Sequence, residues 1–435
     1  MTREASPSIR LSGGSTHPSL KVLVIDEWPP VPANSGKTIR TWSLLKRLAE
    51  CHSLSLLCYG EPDTSSCAEV RAAGIKLHTV RPLRQLRGFA LYADLFANTF
   101  SRYPYSVWKH YTLRFKEELK VLLESEIFDV VHCEWTPYAR FLGVAAKTPT
   151  LIMAHNIESK ILLRRARASR NLIERIFFET QARKMELFER QALTRADWVA
   201  TVTEQDAEVA RSWGVQRVSV VDNGVDLEYF APTDVEPSGN EILFLASLDW
   251  YPNVDALSYL LDEILPLIRR QRPDTILRIV GRRPSTELRN RIANHPGVEL
   301  VGEVTDTRPF LARAGAVVVP LRIGGGSRIK ILEALAMTKA IVSTSIGAEG
   351  LAVRDNEHLL IADSPEAFAN KVSEILGSAV ERRRLGVNGR RLVENRYGWD
   401  LIAEGLERCW LQTAGLGSAE EPQPSPLRSE LQGKA

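Results

Sequence analysis

Long hydrophobic runs are missing from this 435-residue chain. No stretch approaches the ~20 apolar residues needed to cross a bilayer, which argues against a membrane-spanning helix. Residues 1–19 are polar and hold no apolar core of the signal-peptide kind, so they read as a flexible N-terminus rather than a secretory leader. Cysteine is scarce and odd in number: Cys51, Cys58, Cys67, Cys133 and Cys409. Their spacing suits no metal site, and they read as reduced thiols of a cytoplasmic protein. A charge excess is missing too. A net charge of +3 over this length gives no reason to expect a nucleic-acid partner. There is no short-period repeat and no Asp-x-Asp sequence to suggest an obligatory divalent metal. No carboxylate pair is set out as in ordinary glycosidases.

What is present is a globular composition, 44% hydrophobic and 25% charged, long enough for two domains that each bury a core. Short apolar runs alternate with helical patterns. In the first half they are Leu20–Asp26, His52–Cys58, Ile75–Val80, Phe128–Glu134, Thr150–His155, Ala196–Thr203 and Val218–Asn223. In the second half they are Glu241–Leu248, Thr275–Val280, Val298–Val301, Ala316–Leu321, Ala340–Thr344 and Leu359–Ala362. Such alternation predicts α/β architecture with two doubly wound, Rossmann-like parallel sheets. The expected domains are 20–230 and 240–398, joined by a Pro- and Gly-containing stretch, with a disordered Gly-, Ser-, Pro- and Glu-rich tail over 415–435.

The stretch VVVPLRIGGGSRIKILEALAMTKAIVST, residues 317–344, carries the chemistry. A buried strand runs into Gly324, Gly325 and Gly326, and then into a helix. Glycines let backbone approach a ligand, and a helix N-terminus offers free N–H groups to a phosphate. Ser327, Arg328 and Lys330 fall in the first turn, where cations are unfavourable beside the helix dipole unless an anion joins them. A tight turn onto the sheet is the plainer reading. In the first half, Asn34-Ser35-Gly36 precedes a helix expected from about Thr38 to Glu50, either as a simple cap or as a second phosphate loop. His155 stands at a strand's carboxyl end, with His132 and Glu134 at the neighbouring one.

Two segments are rich in basic and apolar side chains. Residues 81–126 mix arginines with Phe89, Tyr92, Phe96, Phe100, Tyr103 and Trp108; they read as an acceptor-side insertion or as ordinary helical packing. Ser159–Gln191 reads as one long helix, basic at its start, that either lies on an anionic membrane or is simply solvated.

The glycine loop through Glu333, together with Asn223-Gly224-Val225-Asp226 and Phe230-Ala231-Pro232, resembles the glycosyltransferases of family 4, retaining enzymes of the GT-B fold. The resemblance spans roughly Lys21–Trp410. It implies two Rossmann-like domains facing across a cleft, an N-terminal acceptor side and a C-terminal side for the nucleotide-sugar. It also implies a last helix, 399–412, that crosses back to the first domain. Glu333 matches the second of two glutamates eight residues apart and would hold the ribose. The first would fall at Gly325, a loss that bears on sugar recognition more than on nucleotide binding. Gly36, after Ser35, matches the acceptor-side loop, and His155 the histidine near the reacting groups. The family's arginine and lysine for the diphosphate would fall at Ser247 and Pro252, so both charges are absent. Arg328 and Lys330 are expected to replace them. Gly281, Arg282 and Val304, at strand ends, would frame the nucleobase, and Asn253 belongs to the loop that replaces the missing cations.

The expectation is a retaining, metal-independent glycosyltransferase, with a nucleotide-diphosphate sugar as substrate and no cofactor. The acceptor would be lipid-linked or a saccharide, in cell-surface polysaccharide or glycolipid assembly, with a possible peripheral membrane surface at its inner face. The alternatives are a GT-B nucleotide-sugar epimerase and a non-catalytic nucleotide-binding scaffold subunit.

Overall fold

The structure, a computed structural model, describes residues 18–81, 86–169, 171–323 and 328–417. Thirteen strands form two sheets among them. The first sheet holds β1 (Lys21–Ile25), β2 (Ser53–Tyr59), β3 (Lys76–Val80), β4 (Val130–Cys133), β5 (Thr150–Ala154), β6 (Trp198–Thr201) and β7 (Val218–Val220) in the order β3-β2-β1-β4-β5-β6-β7. The second holds β8 (Glu241–Leu245), β9 (Ile276–Val280), β10 (Val298–Gly302), β11 (Ala316–Val319), β12 (Ile341–Ser343) and β13 (Leu360–Ile361) in the order β10-β9-β8-β11-β12-β13. Every pairing is parallel. Strands covered on both faces are built largely of apolar residues, and β4, β5 and β11 are buried along their whole length. The sequence reading and the structure agree on this architecture, with strand ends differing by a few residues.

Each sheet reverses its strand order once, between β1 and β4 and between β8 and β11. In open α/β sheets a crevice opens outside the carboxyl ends of the strands at such a switch point. The chain therefore has two crevices, one per domain.

The helix Trp399–Thr413 belongs to the first domain. Ile402, Leu406 and Trp410 join the core on one side of the first sheet, and Arg47 Nε reaches Asp400 Oδ1 at 2.6 Å. The crossing is anchored where the chain changes domain. Val225 N–H donates to the Tyr397 carbonyl at 2.7 Å, and a Cβ on Gly224 would lie 2.5 Å from the Trp399 ring. Arg390 donates to the carbonyls of Phe230 (3.0 Å) and Ala336 (2.8 Å), tying the connecting segment to the second domain.

Two expectations change. The single helix over Ser159–Gln191 is two packed helices, Glu158–Ala168 and Leu172–Arg195. Ser169 turns extended, and Asn171 caps the second helix by accepting from Ile173 and Glu174 N–H. The irregular segment 81–126 contains three helices, Phe89–Thr99, Tyr105–His110 and Leu113–Ser125, the last capped by Thr112. Among the described residues no helix is long and apolar enough to cross a membrane.

Candidate active site

The crevice of the first domain is a buried polar chain. Asp26, just past β1, is 2% exposed and pairs with Lys37 in the first turn of the helix Gly36–Leu48. Burial alone would lower the Lys37 ammonium; Asp26, with Glu27 and Glu134 behind it, more than offsets this and raises it. Ser35 is the N-cap of that helix. Its hydroxyl accepts from Thr38 N–H, so it is engaged by its own helix, and Gly36 is the first helical residue.

Glu134 follows β4 and is also 2% exposed. Its Oε1 lies 3.2 Å from Nε2 of His155, and its Oε2 lies 3.0 Å from Nε2 of His132. The Thr41 hydroxyl donates to Oε1 at 2.8 Å. Burial works to raise this carboxyl, but the two imidazoles prevail and hold it well below the usual carboxylate range. The chain continues behind His132: Trp410 Nε1–H donates to His132 Nδ1 at 3.1 Å. An imidazole that accepts at Nδ1 presents its proton at Nε2, the atom facing Glu134. His155 thus sits on a carboxylate whose far side is held by a helix from the other end of the chain. Beyond it, Glu189 accepts from Glu158 N–H (2.7 Å) and Ser159 N–H (3.2 Å), seating the helix Glu158–Ala168.

The crevice of the second domain holds cations. Lys330, in the first turn of the helix Ile329–Ala336, donates to Asn253 Oδ1 at 3.1 Å, and Asn253 Nδ2 donates to the Ser247 carbonyl at 2.9 Å. Arg282, beyond β9, donates from Nε to Ser247 Oγ at 2.6 Å. Ser247 is thus an acceptor for a neighbour's guanidinium. Burial, aided by Arg328, pushes Lys330 down to about 8, with Glu333 opposing. Burial pushes Glu333 up to about 7, with Lys330 opposing. Gly281 leaves no room for a side chain, since a Cβ there would lie 2.0 Å from the Ala246 carbonyl oxygen. Val304 packs at the edge of the second core.

Arg328 is 5% exposed and donates to the Ile346 carbonyl at 2.8 Å, with Glu349 Oε2 at 3.9 Å. It faces Glu349 as well as Lys330, so its charge is shared. Gly324, Gly325, Gly326 and Ser327 lie outside the described residues.

The two domains meet at a clamp, beside which Arg165 lies over the Tyr251 ring at 5.4 Å and Ile329 joins the core of the first domain. Arg164 makes a two-point contact with Glu349, at 3.0 and 2.9 Å, and Gly350, at φ +85°, sits against Thr203. A pocket opens there, lined by Asn156, Lys160, Arg164, Thr203, Asp206 and Glu349, and starting one residue past His155. Sequence reasoning overlooked this clamp, the Asp26–Lys37 pair and Trp410. Their partners lie up to 278 residues apart, and only the topology brings them together.

Comparison with known proteins bears on the family and the fold. Residues 239–378 match the model of "Glycosyl transferases group 1", and residues 35–224 that of the "Glycosyl transferase 4-like domain". A Klebsiella pneumoniae "44.6 kDa protein in cps region" is 26% identical over 163 residues, 36% of this chain and 42% of that protein. A D-inositol 3-phosphate glycosyltransferase of Rhodococcus opacus is 24% identical over 250 residues, 50% of this chain and 54% of that protein. The chain spans about half the length of these curated relatives. Anabaena HepE, solved in complex with UDP, superposes with a TM-score of 0.65 at 11% identity, over 89% of this chain and 98% of that one. The two family models between them take in both domains and the crevices of each, and the chain belongs to the group 1 glycosyltransferases.

Proposed function

We propose that the protein transfers a sugar, with retention and without a metal or other cofactor, from a nucleotide-diphosphate sugar to an acceptor. The observation that carries the reading is the polar set of the second crevice: Glu333 beside Lys330, with Lys330 on Asn253 and Arg282 on Ser247. A diphosphate leaving group gathers negative charge as the glycosidic bond breaks, and fixed cations stabilise that charge. Lys330 and Arg282 supply them, with Arg328 behind. The Glu333 carboxylate accepts hydrogen bonds from ribose hydroxyls. Gly281 and Val304 bound the base, while Arg282, expected beside it, goes to the diphosphate because it reaches Ser247, and Asn253 positions Lys330. The acceptor hydroxyl enters from the first domain, past Ser35 and Gly36, and attacks on the face the diphosphate leaves. His155 lies at the reacting groups and Glu134 orients its ring.

The UDP complex of the Anabaena neighbour and the glycosyltransferase and cps-region relatives support a nucleotide-sugar donor and a cell-surface polysaccharide or glycolipid product. The acceptor we infer is lipid-linked or a saccharide, met at the cytoplasmic face of a membrane. The test is thermal stabilisation by UDP, GDP and ADP, for the wild type and Glu333→Ala. Ligand at about 100 times its dissociation constant adds about 2.7 kcal/mol. One nucleotide stabilising the wild type and not the variant is the expected result; no stabilisation by any of them overturns the donor site. The anomeric configuration of the product, read by NMR, tests retention. Binding without turnover on any acceptor leaves a nucleotide-binding subunit instead.

A further inference from the structure

The helix Phe89–Thr99 is built inside out. Its packed face is Leu91, Asp94, Leu95 and Asn98. Asp94 accepts from the Trp108 indole at 3.0 Å, and the Asn98 side chain bonds Gln181 and the Tyr103 carbonyl, both at 3.0 Å. The opposite face of a surface helix is ordinarily polar. Here it carries Phe89, Tyr92, Phe96 and, just past the end, Phe100, at spacings of three, four and four. They are 88%, 71%, 68% and 81% exposed. The Phe96 and Phe100 rings meet edge to face at 5.5 Å, so the stripe is continuous at that end. Exposed Arg87 and Arg102 bracket it, and the only acid of the helix, Asp94, is on the inner face.

The basic helix that follows His155 uses its charge elsewhere. Arg164 holds Glu349, and Arg165 lies 4.0 Å from the centre of the Phe178 ring. Leu172, Ile173 and Ile176 of the next helix are exposed as well, but the acids Glu174 and Glu179 stand among them, whereas the outer face of Phe89–Thr99 carries none.

We propose that this face docks on an anionic lipid bilayer, the aromatic rings at headgroup depth and Arg87 and Arg102 on the anionic headgroups. The arginines argue for this occupant over a second copy of the chain, because a two-fold contact through the stripe would bring like charges together. The assignment deepens, and rests on, the membrane part of the function proposed above.

The experiment is co-flotation of the full chain with vesicles of phosphatidylcholine alone and of phosphatidylcholine with phosphatidylglycerol. It compares the wild type, the combined Phe89→Ser, Phe96→Ser, Phe100→Ser variant and the combined Arg87→Gln, Arg102→Gln variant. These side chains are exposed, so melting temperatures are expected to match. The wild type is expected on the anionic vesicles. The aromatic variant is expected to lose partitioning at least about tenfold, and the arginine variant to lose the preference for phosphatidylglycerol. A wild type that stays off both vesicles, or an aromatic variant that floats equally well, overturns the proposal. So does a wild-type dimer in sedimentation that the aromatic variant abolishes without any vesicle binding. The nucleotide-induced melting shift is read on the same samples: its loss with flotation intact overturns only the donor site, and the reverse overturns only the docking face.

Discussion

Nucleotide binding should move protons, in opposite directions on the two sides of pH 7.5. Lys330 stands at about 8 and Glu333 at about 7 in the unliganded protein. Holding the Lys330 ammonium in this crevice costs about 3 kcal/mol relative to water, at 1.36 kcal/mol per decade. A diphosphate charge about 4 Å away, in an effective dielectric near 20, returns about 4 kcal/mol. Binding therefore restores the protonated lysine. At pH 8, where about half the lysines are neutral, the complex takes up about half a proton. Glu333 behaves oppositely, since ribose hydroxyls donate to its ionised form. At pH 7 it releases about half a proton, and by pH 8 it is mostly ionised already. The phosphate's own ionisation near 6 adds to the release at pH 7 and is spent by pH 8. The sign of the exchange thus reverses, and affinity falls as pH rises above about 8, because the cationic lysine is the binding form. Titration calorimetry in buffers of different ionisation enthalpy measures the count directly. Lys330→Met should abolish the uptake at pH 8 and weaken binding at least about tenfold, one lost charge-assisted contact. Equal counts at pH 7 and pH 8, or uptake that survives Lys330→Met, refutes the assignment.

Three further outcomes are expected. Glu134→Gln keeps the shape but removes the buried charge between two imidazoles, and should cost about 3 kcal/mol of stability along with activity. Because Glu134 titrates below its ordinary value, its contribution is present above pH 4.5 and is lost as pH falls, so wild-type and variant melting temperatures should converge in acid. Removing the half-exposed Arg164–Glu349 clamp, by Arg164→Gln with Glu349→Gln, should show a coupling of about 1 kcal/mol or less, together with a larger radius of gyration in solution scattering. Gly281→Ala forces a methyl against the Ala246 carbonyl and should lower stability by about 2 kcal/mol, read in urea unfolding.

The strands were legible because parallel strands covered on both faces are largely apolar, so runs such as Ala316–Val319 stand out without help from neighbours. The break inside 159–191 had a local cue, since Asn171 is a strong cap, but the helical pattern on both sides masked it. The outward face of Phe89–Thr99 was not legible. A stripe of aromatics at helical spacing looks the same whether it packs or faces water, and only Asn98 and Asp94 on the opposite side fix its direction. The pairing of Trp410 with His132 was equally hidden, because it depends on where the last helix crosses.

The missing cations show why the candidate site was half visible. The positions that carry an arginine and a lysine in the family 4 pattern hold Ser247 and Pro252 here, and the sequence offers Arg328 and Lys330 as their replacements without pointing to Arg282. In space, Arg282 reaches Ser247 from the next strand end, and Lys330 reaches Asn253, one residue beyond Pro252. A diphosphate requires positive charge at a place, not at a sequence position, and in a crevice walled by several strand ends a neighbouring element can deliver it. Ser247 and Asn253 are short, neutral acceptors, which leaves room for those longer side chains and gives each a partner before any ligand arrives. The cations proposed for the diphosphate are therefore held in position in advance, so that binding a donor there would add little ordering cost.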